Sequence, residues 1–179
     1  MTTRSETIIR IPTLRTPNLV LRAPGAQDYE AYVAFRASPR SRGTGGPYDR
    51  TASFSHFAEL IGHWVIRGYG RWVVADPETD TALGIVGLMY PEDWPEAEIA
   101  WTVFDSAEGR GIAFEAASAA RQYAYDVLGW STVISCVLPD NTRSIALAKR
   151  MGATYEADYA HPEMGSLGIW RHVGPEALA

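Results

Sequence analysis

The chain has 179 residues, of which 46% are apolar and 21% are charged, and its net charge is −5. This composition predicts one folded domain over residues 1–179, with residues 1–17 as an N-terminal extension, and it excludes a disordered chain. No basic cluster and no long apolar segment is present. The sequence therefore argues against a nucleic-acid partner and against a membrane partner.

Cys136 is the single cysteine, so no intramolecular disulfide can form, as is typical of proteins in a reducing compartment. Its apolar neighbours predict a buried strand residue rather than a nucleophile. The N-terminal segment lacks the apolar core of a signal peptide. We therefore expect a cytoplasmic protein, either a monomer or a homodimer. No metal site is expected, because His56 and His63 stand seven residues apart without cysteine partners.

The chain divides into segments with strand periodicity and segments with helix periodicity. A strand is followed by two amphipathic helices, three strands, a helix, a strand, a helix and a final hairpin. The predicted strands are residues 18–24, 71–76, 82–90, 96–104, 132–138, 155–160 and 166–173. The predicted helices are residues 26–38, 51–67, 112–128 and 142–151.

The order of these elements predicts how the strands pair. The three middle strands are joined by short turns and should be antiparallel, whereas the strand–helix–strand unit over residues 96–138 should be parallel. The predicted fold class is α/β, an α+β mixed sheet. It has a central, mostly antiparallel sheet with helices on both faces.

A glycine-containing loop leads into the helix that is predicted to begin at Ile112. Gly109 and Gly111 allow the backbone to approach a ligand closely. The first N–H groups of the helix have no partners within it, so a diphosphate could bind there, with Arg110 adding a charge. The loop lacks the third glycine of a dinucleotide site and the Gly-Lys-Ser/Thr of a P-loop. Taken alone, the two glycines also fit a purely steric turn.

The order of motifs resembles the GNAT superfamily of N-acetyltransferases, and within it the branch of ribosomal-protein N-terminal acetyltransferases. The superfamily's pyrophosphate motif, Gln/Arg-x-x-Gly-x-Gly/Ala, corresponds to residues 108–113. The other matching segments are LVLRAP (19–24), GRWVVAD (70–76), GIVGL (84–88), AEIAWTVF (97–104) and PDNTRSIALAKRMGA (139–153). The resemblance covers about residues 18–173. It implies a GNAT-like fold and direct acetyl transfer from the cosubstrate acetyl-CoA to a primary amine, either a protein N-terminus or a small molecule.

The resemblance also implies which residues bind the cosubstrate. Amides of the loop and helix start would hold the CoA pyrophosphate, the preceding strand would pair with the pantetheine arm, and an asparagine would bond the same arm. The residues implied are Trp101, Thr102, Val103, Gly109, Arg110, Gly111, Ile112, Ala113, Phe114 and Asn141. Asn141 is equally suited to cap the helix that follows it.

Glu98 is the candidate general base, because it matches the branch's acidic residue at the start of the central strand. Strand alternation places it on the same face as Ala100 and Thr102. The alternative is a solvated glutamate at the end of a strand. The acceptor pocket is expected between the loop over residues 40–50, the helix with His56 and His63, and the turn over residues 90–94. Tyr48 and Trp94 are its candidate lining residues.

Two positions depart from the superfamily pattern. Glu108 stands where glutamine or arginine is usual, and Ala148 stands where many relatives carry the tyrosine that protonates the leaving thiolate. Ser144, one helical turn after Asn141, is the candidate proton donor in its place. A serine there more often contacts only backbone or water. These departures leave open a second hypothesis, a CoA-binding sensor or an inactive relative.

Overall fold

The computed structural model describes residues 8–178 of the chain, so residues 1–7 of the expected N-terminal extension lie outside the described part. The strands are β1 (Leu14–Arg15), β2 (Val20–Arg22), β3 (Arg71–Ala75), β4 (Ala82–Met89), β5 (Glu98–Val103), β6 (Ile134–Val137), β7 (Thr154–His161) and β8 (Gly165–Arg171). The helices are α1 (Tyr29–Ala37), α2 (Arg50–Arg67), α3 (Ile112–Asp126) and α4 (Thr142–Arg150). All the predicted helices and strands are present in the predicted order, and β1 is an addition that the sequence did not predict.

The strands form one sheet in the order β1-β2-β3-β4-β5-β6-β8-β7. All neighbouring strands are antiparallel except β5 and β6, which are parallel and are connected through α3. The predicted mixed, mostly antiparallel sheet is therefore confirmed. The parallel pair is the place where the active-site candidates meet.

Side chains on β3 show how the sheet is covered on both faces. Trp72 and Val74 belong to the core cluster that includes the alanine-rich face of α3. Val73 points the other way and packs with Tyr32 of α1 and Leu60 of α2. Helices on opposite faces follow from this alternation, because each face of the sheet must remove apolar side chains from water.

The connection between α1 and α2 crosses the sheet near the ends of β5 and β6. Its residues Pro39–Thr44 form a short 3-10 helix, where the sequence predicted an irregular loop. Arg40 contacts Asp105, two residues after the end of β5, at 2.6 Å. Gly43 packs so closely on Asn141, which follows β6, that a Cβ at this glycine would stand 2.5 Å from the amide nitrogen. We call residues 39–44 the crossing segment.

Part of the N-terminal extension is tied to the sheet. β1 pairs with β2, and the carbonyl oxygen of Pro12 accepts a hydrogen bond of 2.7 Å from Nε1 of the fully buried Trp72. Between residues 8 and 178, no helix combines the length and the apolar character that a bilayer crossing needs.

Candidate active site

The parallel ladder between β5 and β6 stops after a single pair, Glu98 with Ile134. The N–H of Ile134 donates to the carbonyl of Ala97 at 3.3 Å. The next donor on β6, the N–H of Cys136, does not reach a carbonyl of β5 and donates instead to Oε2 of Glu98 at 2.6 Å. The side-chain carboxylate thus takes the place of a backbone acceptor, and the two strands part beyond it.

The parting leaves backbone groups of β5 facing an open space. Phe104 donates its N–H to Leu83 of β4 at 2.8 Å. Successive peptide groups point in alternate directions along a strand. The peptide group of Thr102 therefore also faces β4. The peptide groups of Trp101 and Val103 therefore face the gap toward β6, and Thr102 contributes its side chain alone. An extended ligand could pair with the two free positions as a further strand would.

A cavity of about 430 Å³ occupies this gap. The sequence assigned twelve residues to catalysis or cosubstrate binding, and eleven of them line this cavity. They are Glu98, Trp101, Thr102, Val103, Gly109, Gly111, Ile112, Ala113, Phe114, Asn141 and Ser144. Arg110 is the exception, because its side chain is exposed and does not line the cavity. The structure therefore does not support the expected direct contact between the Arg110 side chain and a ligand in this cavity.

Glu98 lies inside the cavity wall with 4% of its surface exposed, so the alternative of a solvated strand-end residue is wrong. Burial raises the pKa of its carboxyl group, the N–H of Cys136 partly opposes that effect, and the resulting pKa is about 7. The indole of Trp94 lies near enough to favour the charged carboxylate but makes no hydrogen bond of ordinary geometry. A carboxylate with such a pKa can accept and release a proton near neutral pH.

The loop before α3 has the geometry of an anion site. Gly109 has φ 74° and Gly111 has φ 76°, a region that favours glycine, and a Cβ at either would meet no atom within 4 Å. Gly111 is the N-cap of α3 and provides no side-chain cap, so the first N–H groups of the helix lack partners from it. The CoA diphosphate fits this opening, since both the backbone donors and the helix dipole favour an anion.

The negative charge of the Glu108 carboxylate, beside that opening, is compensated by two arginines. The carboxylate pairs with Arg40 of the crossing segment and with Arg143 of α4. Arg40 is the main cause that lowers the pKa of Glu108 below its usual value, and Arg143 adds to it. The departure from the superfamily pattern is thus balanced by two arginines that come from distant parts of the chain.

Asn141 and Ser144 lie where α4 begins. The side chain of Asn141 caps the helix, with Oδ1 accepting from the N–H of Ser144 at 3.2 Å. The Ser144 hydroxyl accepts from Nε1 of Trp101 at 3.1 Å, so it bonds a side chain of β5 rather than backbone alone. Its own hydrogen can therefore be donated to another group in the cavity. Ala148, at the position of the superfamily's tyrosine, is fully buried.

Cys136 lines the cavity although the sequence predicted a buried strand residue. The strands part at this residue, and the parting exposes its side chain. Burial and the neighbouring Glu98 carboxylate both raise the pKa of the thiol above its ordinary value. The thiol is therefore a poor nucleophile at neutral pH.

We expect Cys136→Ala to retain most of the activity, because acetyl transfer does not pass through an acetyl-cysteine. Steady-state rates of both proteins test this expectation. Intact mass spectrometry of the wild-type protein after incubation with acetyl-CoA is the complementary measurement. A stable acetyl adduct on Cys136 that the acceptor amine discharges would contradict direct transfer.

The acceptor side of the cavity matches the sequence expectation in part. Trp94 and residues of the crossing segment line it, as does Arg71, which the sequence did not single out. Tyr48 does not line it and instead lies under the guanidinium of Arg36. His63 is also structural: it bonds the carbonyl of Tyr69 at 2.7 Å and accepts from the N–H of Tyr90 at 2.9 Å.

No site role was predicted for Arg40, Arg71 or Arg143. Arg40 lies in the loop expected at the acceptor pocket, and the other two lie in segments that resemble the superfamily, but nothing local shows that these side chains reach the cavity. Each is close in space to the cavity but lies on an element far from residues 98–114 in sequence. Across the described part of the chain, no group of three His, Cys, Asp or Glu residues is arranged to hold a metal ion.

Known proteins share both the sequence pattern and the fold. A family model for the acetyltransferase (GNAT) domain matches residues 18–154. The crystal structure of an acetyltransferase from Agrobacterium tumefaciens str. C58 is 36% identical, with a TM-score of 0.85 over 95% of this chain and 99% of that one. The acetyltransferase (GNAT family) from Bacillus anthracis is 17% identical, with a TM-score of 0.75 over 90% and 98% of the two chains.

A structure with a bound ligand is also similar. RimL, a ribosomal L7/L12 alpha-N-protein acetyltransferase in complex with coenzyme A, is 16% identical, with a TM-score of 0.74 over 90% of this chain and 98% of that one. At this identity the likeness concerns the fold. The family match over most of the chain and the 36% identical relative establish more than the fold. The chain belongs to the GNAT acetyltransferase family and is an acetyl-CoA-dependent acyltransferase.

Proposed function

We propose that this protein transfers an acetyl group from acetyl-CoA directly to a primary amine, with Glu98 as the general base. The observation that carries the proposal is the position of the Glu98 carboxylate. It is buried at the point where β5 and β6 part, with a pKa raised to about 7. A carboxyl group with a pKa near 7 can accept a proton and release it again near neutral pH, as a general base must.

The proton must leave the amine before the new bond forms. A primary amine is largely protonated at neutral pH, so Glu98 first takes one proton from the ammonium group and frees the nitrogen lone pair, which then attacks the thioester carbonyl. A C–N bond forms, the C–S bond breaks, and the second proton on the nitrogen leaves to solvent. The oxyanion that develops between these events is stabilised by a strand N–H facing the gap, from Trp101 or Val103.

The leaving thiolate also needs a proton. We assign this step to Ser144, whose hydroxyl already accepts from Trp101 and keeps its hydrogen available. The serine would be reprotonated from solvent, since residue 144 is partly exposed. In this proposal Ser144 takes the role of the tyrosine that many relatives carry at the position of Ala148.

Binding of the cosubstrate is assigned to two parts of the cavity. Trp101 and Val103 pair with the pantetheine arm through their backbone, with the Thr102 side chain beside them. The N–H groups over residues 109–114 hold the diphosphate. Asn141 contributes its amide nitrogen, since its oxygen is engaged in the helix cap. Arg110 has no direct contact in this proposal.

We further propose that residues 1–179 form one catalytic domain, working in the cytoplasm as a monomer or a homodimer. A single cysteine, which cannot form an intramolecular disulfide, is typical of a reducing compartment.

A panel of primary amines tests the proposal. The panel contains polyamines, amino acids and N-terminal peptides, and the readouts are CoA release and the mass of the product. We expect equal amounts of free CoA and N-acetylated product with at least one member. Binding of acetyl-CoA without product from any amine would instead support a CoA-binding sensor.

A further inference from the structure

One part of the acceptor side of the cavity combines the Glu98 carboxylate with the N–H donors of Arg71 and Trp94. We call the part lined by Phe35, Arg71, Met89, Trp94 and Glu98 the acceptor chamber. The Glu98 carboxylate can bind and deprotonate the amine of the substrate. Arg71 and Trp94 favour the charged form of the Glu98 carboxylate, but their N–H groups make no ordinary hydrogen bond to it, and an ammonium group offers them no acceptor.

The guanidinium of Arg71 makes few contacts with other side chains of the protein. Arg71 is the first residue of β3, and its side chain is 20% exposed. In residues 8–178, its single ion pair is a contact of 3.4 Å with Glu59, whose side chain is 47% exposed. A guanidinium has five N–H donors, so most of those of Arg71 remain for another partner.

Trp94 presents a second unused donor in the same chamber. Its indole N–H is buried and has no hydrogen-bond partner among the described residues. The ring is held in place by His161, whose Nε2 contacts the carboxylate of Asp93 at 3.2 Å and whose ring lies 5.0 Å from that of Trp94. This N–H lies near the Glu98 carboxylate without an ordinary hydrogen bond to it, so an acceptor group of a ligand placed beside it would satisfy a buried donor.

The charges in the chamber also restrict the substrate. A substrate with a positive charge alone would be attracted by Glu98 and repelled by Arg71. A zwitterion complements both, with its ammonium at Glu98 and an anionic group at Arg71. The cavity of about 430 Å³ must also receive the acetylated end of the pantetheine arm. This volume is near the lower end of the range for small-molecule sites and favours a small acceptor.

We infer that the acceptor is a free amino acid, whose carboxylate is bound by Arg71 and Trp94 while its amine faces Glu98. The inference rests on the proposed function and makes it more specific. Arg71 is then a residue that determines substrate specificity; its charge lowers the pKa of Glu98, but it exchanges no proton with the amine.

Matched substrate pairs test the inference. Each pair is an amino acid and the amine that its decarboxylation yields, such as leucine with 3-methylbutylamine and methionine with 3-(methylthio)propylamine. Hydrogen bonds to a charged group contribute about 1.5–3 kcal/mol, so we expect the amino acid to have a kcat/KM roughly tenfold to a hundredfold higher. Arg71→Gln should lower kcat/KM for the amino acid about tenfold more than for its partner, through KM.

Arg50→Gln is the matched control. It removes the same charge from an exposed arginine that pairs with Glu30, and it should leave the preference unchanged. Calorimetry of both substrates with the CoA-saturated enzyme measures the preference without turnover. Binding of the amino acid through Arg71 without any product would support the carboxylate site alone and reject the proposed function. Equal use of both members of each pair would overturn the inference, as would acetylation of N-terminal peptides with all free amino acids inert.

Discussion

Glu98→Gln is expected to lower kcat by roughly 10²–10⁴-fold and to leave the Kd for acetyl-CoA nearly unchanged. Glutamine keeps the shape of the side chain, and its carbonyl oxygen can still accept from the N–H of Cys136. It cannot take a proton from the amine. Steady-state kinetics and calorimetry with acetyl-CoA measure the two quantities.

Glu96→Gln is the matched control for this variant. Glu96 lies two residues away and is partly exposed, where it pairs with Arg171 at 2.7 and 2.8 Å. Its replacement removes a carboxylate just before the same strand and should change kcat little. Equal losses in both variants would show that the charge, and not a proton acceptor at residue 98, is what matters.

The stability of Glu98→Gln provides a second control. The pKa of Glu98 is raised in the folded protein, so the carboxyl group favours folding most below its unfolded pKa and loses that contribution as pH rises through about 7. A neutral glutamine has no such penalty. At pH 8 the variant should melt no lower than the wild-type protein, and a large drop in Tm would attribute lost activity to misfolding.

Gly111→Val is expected to weaken acetyl-CoA binding at least about tenfold, which corresponds to about 1.4 kcal/mol. The residue has φ 76° and caps a helix whose first N–H groups are open. A branched side chain both strains this conformation and blocks approach of the diphosphate to the backbone. Calorimetry on the folded variant measures the effect.

Gly129→Val separates the two causes. Gly129 has φ 70°, and a Cβ there also meets no atom within 4 Å, but the residue does not line the cavity. Its replacement should cost similar backbone strain and leave acetyl-CoA affinity intact. An unchanged Kd in Gly111→Val would remove the diphosphate from this loop.

Local features of the sequence predicted the fold and a large part of the candidate site. The strand after Glu98, the glycines before α3 and the asparagine before α4 each lie within a short segment whose spacing has a direct physical meaning. The parting of β5 and β6 is different in kind. It depends on a side chain of one strand replacing a backbone acceptor for another, and no periodicity reveals such a contact.

The arginines around the cavity show the same limit. Glu108 departs from the superfamily pattern, and nothing in the sequence indicates that Arg40 and Arg143 approach it. Arg71 lies within a motif that matches the superfamily, yet its position in the acceptor chamber follows from the pairing of β3 with β4. Contacts between distant segments are set by the packing of the whole sheet.

The pH dependence of kcat for the wild-type protein and Glu98→Gln, with one amine and saturating acetyl-CoA, tests the role of Glu98 as the base most directly. A base works only when deprotonated, so wild-type activity should fall as pH decreases through about 7. Glu98→Gln should lack this step, and its deficit should shrink at high pH, where the amine is already deprotonated in solution. The same step near pH 7 in both proteins, or a deficit that stays constant at every pH, would contradict proton transfer to Glu98.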